Sequence, residues 1–264
     1  MKGLIEHIEL LKRAFQQLQP LPAADQQRLD KKFRLEWNYN SNHIEGNTLT
    51  YVETELLLIF DQTKGNHEFR EYEEMKGHDV ALKLITDLAL DKERDLTEKF
   101  IRELNEVLLV RPFYKEAITP DGQATRRLIE IGGYKSLPNS VRLQNGEIFN
   151  YASPNETPAL MNDLLNWYQG VSTDATLHAV EVAAELHYKF VCIHPFDDGN
   201  GRIARLLMNY HLLKKNYPPV IIKSADKKKY LFALHEADTG NIAALKEYIA
   251  LEVINSLKAC IGIV

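Results

Sequence analysis

Apolar residues recur at helical spacing through most of the chain and fail to do so in one stretch. Leu4 to Leu18 carries a helical pattern that Gln19-Pro-Leu-Pro22 ends. Asp25 then opens a second helix with Leu29, Phe33, Trp37 and Ile44 on one stripe, and Gly46-Asn47 stops it. Tyr51 to Phe60 and Phe69 to Leu90 read as further helices, and Asp95-Leu-Thr-Glu98 starts another that runs to Leu109. From Arg111 to Pro158 the breakers Pro112, Pro120, Gly122, Gly132, Gly133, Pro138, Gly146 and Pro154 replace the pattern. Short runs such as Arg127 to Ile131 and Glu147 to Tyr151 lie between them, which predicts loops and one small β-hairpin. Helices resume over about 157–168, 174–191, 201–214, 225–237 and 242–257. The expected fold is all-α, a helical bundle with an inserted β-hairpin. An N-terminal helical region (1–110) and a core region (111–264) are expected to form one unit.

One stretch does not fit plain packing. Cys192-Ile-His-Pro-Phe-Asp-Asp-Gly-Asn-Gly-Arg-Ile-Ala-Arg205 joins two apolar helical patterns, so it is a loop followed by a helix start. A helix N-terminus behind Gly199-Asn200-Gly201 offers free backbone N–H groups and the positive end of a dipole, which suits a phosphate. Arg202 and Arg205, at i and i+3, reach the same side. Arginines are unfavourable at this end of a helix dipole, so two of them imply an anion. Asp198 would repel that anion unless a cation stood between them, and an oxygen-liganded Mg²⁺ resolves the conflict. His194, titrating near neutrality, is placed to take a proton. The bland alternative, a structural histidine before a proline and an ordinary glycine turn, explains each residue singly but not the set.

The totals narrow the partners. With 264 residues, a net charge of -5 and pI near 6.0, the chain is not expected to use nucleic acid as its main partner. Two distant cysteines, Cys192 and Cys260, suit a reduced compartment, and no apolar run approaches the ~20 residues of a membrane span. A cytoplasmic protein without membrane contact or a nucleic-acid module is the expectation. No Walker-type loop or dinucleotide fingerprint is present. The adjacent His78-Asp79 suggests a metal phosphohydrolase, but His67 and His178 lack a ligand context, and His235-Glu236 lacks the second histidine of a zinc-protease motif.

His194-Pro-Phe-x-Asp198-Gly-Asn-Gly-Arg202-x-x-Arg205 resembles the signature of the Fic (filamentation induced by cAMP) family. Ser41-x-x-x-Glu45-Gly46, on the helix of about 25–46, resembles the inhibitory motif of one class of that family. The resemblance implies a Fic-fold bundle that moves AMP from ATP to a Tyr, Thr or Ser hydroxyl of a target protein, the chain itself being one candidate. It implies His194 as base, Asp198 as the Mg²⁺ ligand and Phe196 as a buried anchor. Gly199, Asn200 and Gly201 become an anion hole, and Arg202 and Arg205 the phosphate grip. Glu45, helped by Ser41, would pair with Arg205 and inhibit. A target-binding flap is implied over about 127–151, with Gly133, Tyr134, Lys135 and Val141 in it. Tyr230 and Asp238 become candidates for the adenine, and ordinary helix packing explains Tyr230 equally well. Removal of AMP from a target, transfer of phosphate or other nucleotides, and a non-catalytic binding role are the alternatives. A homodimer is among the partners that the resemblance implies.

Overall fold

The computed structural model describes residues 1–119, 122–142 and 148–262. Ten helices are found among them: α1 (Lys2–Gln17), α2 (Ala23–Ile44), α3 (Tyr51–Phe60), α4 (Phe69–Leu90), α5 (Glu98–Leu109), α6 (Thr157–Ser172), α7 (Ala179–Ile193), α8 (Asn200–Lys214), α9 (Lys227–Asp238) and α10 (Ile242–Ile261). The ends follow local chemistry. Thr50 and Glu53 form a reciprocal capping box on α3, and the Thr97 hydroxyl accepts from Phe100 N at 3.2 Å at the start of α5. Asp25 lies in the first turn of α2, whose N-cap is Pro22.

The bundle is built around α7 and α8, which pack most extensively on each other. Every residue of α8 from Arg202 to Leu212 is buried, so this helix has no solvent face. One core lies on its Ile203, Leu206, Leu207 and Tyr210 side, together with Phe190, Phe196 and residues of α4, α5 and α6. A second core lies on its Met208 and Leu212 side, with Val180, Ala183 and Ala184 of α7 and the inner faces of α9 and α10. The loop between α7 and α8 is therefore held between two packed halves, which fixes its position.

The β-structure departs from the single hairpin expected. The described residues form two separate two-stranded antiparallel sheets. In the first, β1 (Phe113–Ile118) pairs with β2 (Ala124–Ile129), with Tyr114 opposite Leu128. In the second, β3 (Ser140–Arg142) pairs with β4 (Ile148–Asn150), with Val141 opposite Phe149. Arg127 to Ile129 thus pairs backward in the chain, with the run after Pro112. The reason is local: Gly122, at φ 87, donates its N–H to Thr119 O at 2.9 Å and turns the chain early. No helix among the described residues is long and apolar enough to cross a membrane.

Candidate active site

His194 ends α7. It adopts the left-handed conformation (φ 50, ψ 58), its N–H donates to Phe190 O at 3.0 Å, and Pro195 prevents the helix from continuing. The loop then folds on its own backbone. Asn200 Oδ1 accepts from Phe196 N at 2.9 Å and Asn200 Nδ2 donates to Phe196 O at 2.8 Å, both buried. Phe196 is fully buried, as an anchor should be. Gly199, at φ 84, is the N-cap of α8, and a side chain there would meet Leu108 Cδ2 at 2.9 Å. The Asn200 side chain is thus a brace inside the loop. No side chain caps α8, so the first-turn N–H groups remain the donors for an anion.

That seat is filled by the chain itself. A Cβ added at Gly201 would lie 2.5 Å from Glu45 Oε1, so the Glu45 carboxylate rests against the first turn of α8. Arg205 Nη2 donates to Glu45 Oε1 at 2.8 Å and to Ser41 O at 2.9 Å, and Arg205 Nε donates to Ser41 Oγ at 3.1 Å. The other arginine is also held. Arg202 Nη1 donates to Glu74 Oε2 of α4 at 3.1 Å, and Glu74 in turn pairs with Arg70 at 2.9 Å. Both arginine side chains are 3% exposed, whereas Glu45 keeps 35% of its side-chain surface open. Burial alone would raise the Glu45 carboxyl pKa, but Arg205 and Arg202 outweigh it and hold it below the ordinary value.

Asp198 shows the same balance. Burial raises its carboxyl, while Arg202 and Lys115 lower it further, leaving it ionised. Its Oδ1 accepts from Gly199 N at 2.6 Å, and its Oδ2 is held by Lys115 Nζ of β1 at 2.8 Å. A carboxylate kept ionised and matched to an exposed, replaceable ammonium fits an oxygen-liganded divalent cation. The His194 pKa is lowered to about 4, first by burial and then by the positive charge of Lys135. The imidazole is therefore neutral at physiological pH, the form a base needs.

The remaining expected residues occupy varied positions. Gly133, Tyr134 and Lys135 lie between the two sheets and are tied to the loop that follows α7. Lys135 N donates to Pro195 O at 2.8 Å, its buried Nζ donates to Ile193 O at 3.0 Å, and the Tyr134 ring packs 5.7 Å from that of Phe196. Val141 is the middle residue of β3. Tyr230 is 3% exposed, with its hydroxyl 2.8 Å from His187 Nε2, and burial raises the pKa of that hydroxyl. It supports the site from beneath rather than presenting a ring at its surface. Asp238 ends α9 and accepts from Tyr188 OH at 3.2 Å, and burial raises its pKa. His78 and Asp79 are internal braces: His78 Nδ1 lies 2.6 Å from Asn38 Oδ1, and Asp79 takes Arg34 at 2.8 and 2.7 Å. No cluster of three potential metal ligands occurs among the described residues.

Glu74, Lys115, Asn139 and Tyr151 escaped the sequence reading. One signal was available for α2: Asn38-Tyr-Asn-Ser-Asn42 is a run of poor helix formers, yet Asn38, Asn40, Ser41 and Asn42 are all buried. Their amides bond back to carbonyls at i-4, at 2.8 to 2.9 Å, so the helix survives and its polar face meets the arginines.

Comparison with known proteins bears on the fold and the family. The Fic/DOC family model matches residues 95–212. A solved Fic domain-containing signaling protein from Bacteroides thetaiotaomicron is 45% identical, with a TM-score of 0.90 over 97% of this chain and 96% of that one. Fic-1 from C. elegans is 26% identical, with a TM-score of 0.80 over 100% of this chain and 72% of that one. Protein adenylyltransferase Fic from Drosophila melanogaster is 34% identical over 225 residues, or 84% of this chain. The chain spans 41% of the length of that relative.

Proposed function

The chain belongs to the Fic/DOC family, and on that premise we propose that it is an ATP- and Mg²⁺-dependent protein adenylyltransferase held closed by Glu45. The observation that carries this reading is the Glu45 carboxylate seated at the start of α8 and paired with Arg205 at 2.8 Å. A phosphate-shaped seat occupied by an internal carboxylate is a site that needs an anion in both its states. The name of the Drosophila relative supports the transfer chemistry.

In the proposed reaction a target hydroxyl oxygen attacks the α-phosphorus of ATP. The bond to the bridging oxygen breaks, pyrophosphate leaves, and the hydroxyl proton passes to neutral His194. The first-turn N–H groups of Asn200, Gly201 and Arg202 face the charge that develops on phosphoryl oxygens, and the two guanidiniums grip the distal phosphates. Asp198 would hold Mg²⁺, whose contribution when bound is neutralisation of phosphate charge. The target segment is expected to lie along the flap by backbone pairing, within reach of His194. Adenine contact by Asp238, target choice, action on a second copy of the chain, dimerisation and a cytoplasmic location belong to this reading as well.

A charge-assisted pair contributes about 1.5–3 kcal/mol, and the solvent-open flank of Glu45 reduces this toward about 1–2 kcal/mol. Glu45→Gly should therefore raise AMP transfer about tenfold. The test is incorporation of α-phosphate label from ATP into cell-lysate proteins and into the chain itself, with His194→Ala as control. Equal labelling with and without Glu45 defeats the inhibitory role, and absence of any His194-dependent label defeats the transferase reading.

A further inference from the structure

Tyr151, the residue that follows β4, lies flat on the catalytic histidine. The ring centroids of Tyr151 and His194 are 3.9 Å apart and their planes differ by 15°. His194 needs such support. Its Nδ1 is buried with only a poorly aligned contact to the Val191 backbone, so the bond that usually fixes a catalytic imidazole is weak in this geometry. Its backbone is left-handed at φ 50, an uncommon setting for a residue with a side chain.

Tyr151 is itself held from the catalytic loop. Its N–H donates to Asn139 O at 3.2 Å, Asn139 Nδ2 donates to Phe196 O at 2.9 Å, and Phe149 of β4 meets its ring edge-on at 5.2 Å. Asn139 Oδ1 also accepts from Arg127 at 3.1 Å, and Arg127 pairs with Asp197 beside the metal-ligand candidate. The chain of contacts runs from Phe196 through Asn139 to Tyr151 and back to His194, two residues from where it began. Asn139 precedes the first strand of the second sheet and Tyr151 follows the second, so these contacts close one end of that sheet.

We propose that Tyr151 is a positioning residue for His194: its ring holds the imidazole at the angle for proton transfer and couples that angle to the second sheet. The proposal rests on the adenylyl-transfer reading only for its kinetic consequence. The ring covers one face of the imidazole and excludes water from it, so loss of the ring both frees the imidazole and hydrates it. A target strand added to the edge of the second sheet would stiffen Phe149 and Tyr151, and with them the base.

The test uses the full chain with Glu45→Gly, so that turnover is measurable, and compares Tyr151→Phe with Tyr151→Leu. Histidine-selective NMR follows the His194 titration without nucleotide, and labelling gives kcat and KM for ATP. The leucine variant should lose about tenfold in kcat, with KM for ATP within about twofold. Its His194 midpoint should rise from about 4 toward the ordinary histidine value of about 6.5. The phenylalanine variant, which keeps the aromatic face, should restore both. A leucine variant with unchanged kcat and unchanged midpoint overturns the proposal. So does a change confined to KM for ATP with kcat and midpoint unchanged, which would make Tyr151 a structural part of the sheet only. The NMR titration reads the stack even if no transfer is seen, so failure of the adenylyl-transfer reading is recognised separately.

Discussion

Asn200 and Lys115 hold the same short loop, one from beneath and one from above, on different physical terms. Asn200 is 2% exposed and makes two bonds to the Phe196 backbone, where no water competes. Lys115 is 58% exposed and reaches Asp198 from a hairpin whose other face carries Tyr114, Ile118 and Leu128 into solvent. The pairs that close the site share the second character on one side: Glu45 and Lys115 stay open to water while their partners are less exposed, Arg205 at 3% and Asp198 at 22%. A buried bond resists exchange, whereas a half-open ion pair contributes little and is readily replaced. The reacting groups are thus fixed by the core, and the groups that block them are held just firmly enough to be moved.

The comparison can be broken at several points, the largest effect first. Arg205→Ala should lower labelling about a hundredfold or more, and Glu45→Gly should not rescue it, because the same guanidinium serves both the blocked and the working state. Rescue would mean that Glu45 acts through another group. Asn200→Ala should then cost about 1–2 kcal/mol by leaving the buried Phe196 N–H unpaired and its carbonyl with Asn139 alone, seen as a Tm a few degrees lower. A Tm equal to that of the parent would show that water replaces the brace, and the floor would be no firmer than the rim.

Acid offers a test of the floor without mutation. Burial holds His78 well below the ordinary histidine pKa, His187 and His211 at about 3, and His194 at about 4. The unfolded chain takes up these protons from about pH 6.5 downward, and the folded chain does not. Stability is therefore complete above about pH 6.5 and is lost as pH falls toward 4. Thermal unfolding at pH 7.5 and 5.0 should show a lower Tm at the acid value, and a flat profile would contradict the burial of these rings. The smallest effect belongs to the rim. Lys115→Met should change Tm by about 1 °C or less, while a fall of several degrees would make the hairpin part of the core.

The long helices were legible because their signals are local. The limits of α3 and α4 agree with the sequence reading at Tyr51–Phe60 and Phe69–Leu90, where capping residues and apolar stripes act within a few positions. The hairpins were not, since the pairing of Arg127 with Lys115 depends on which distant strand wins. Glu74 looked like any exposed glutamate in an acidic run until the packing of α4 against α8 brought it to Arg202.

From the sequence by itself the stretch from His194 to Arg205 reads as an anion seat with a base, because those residues lie within twelve positions of each other and need no distant partner to be read. It also carried Glu45 and Ser41 as residues four apart on one helix. Only the tertiary structure decided that Glu45 fills the seat, that Glu74 takes the second arginine, that Lys115 stands on Asp198 and that Tyr151 covers His194. The reason is separation: these contacts join positions between 43 and 160 residues apart in the chain. Such contacts exist only after the two cores have closed around α8.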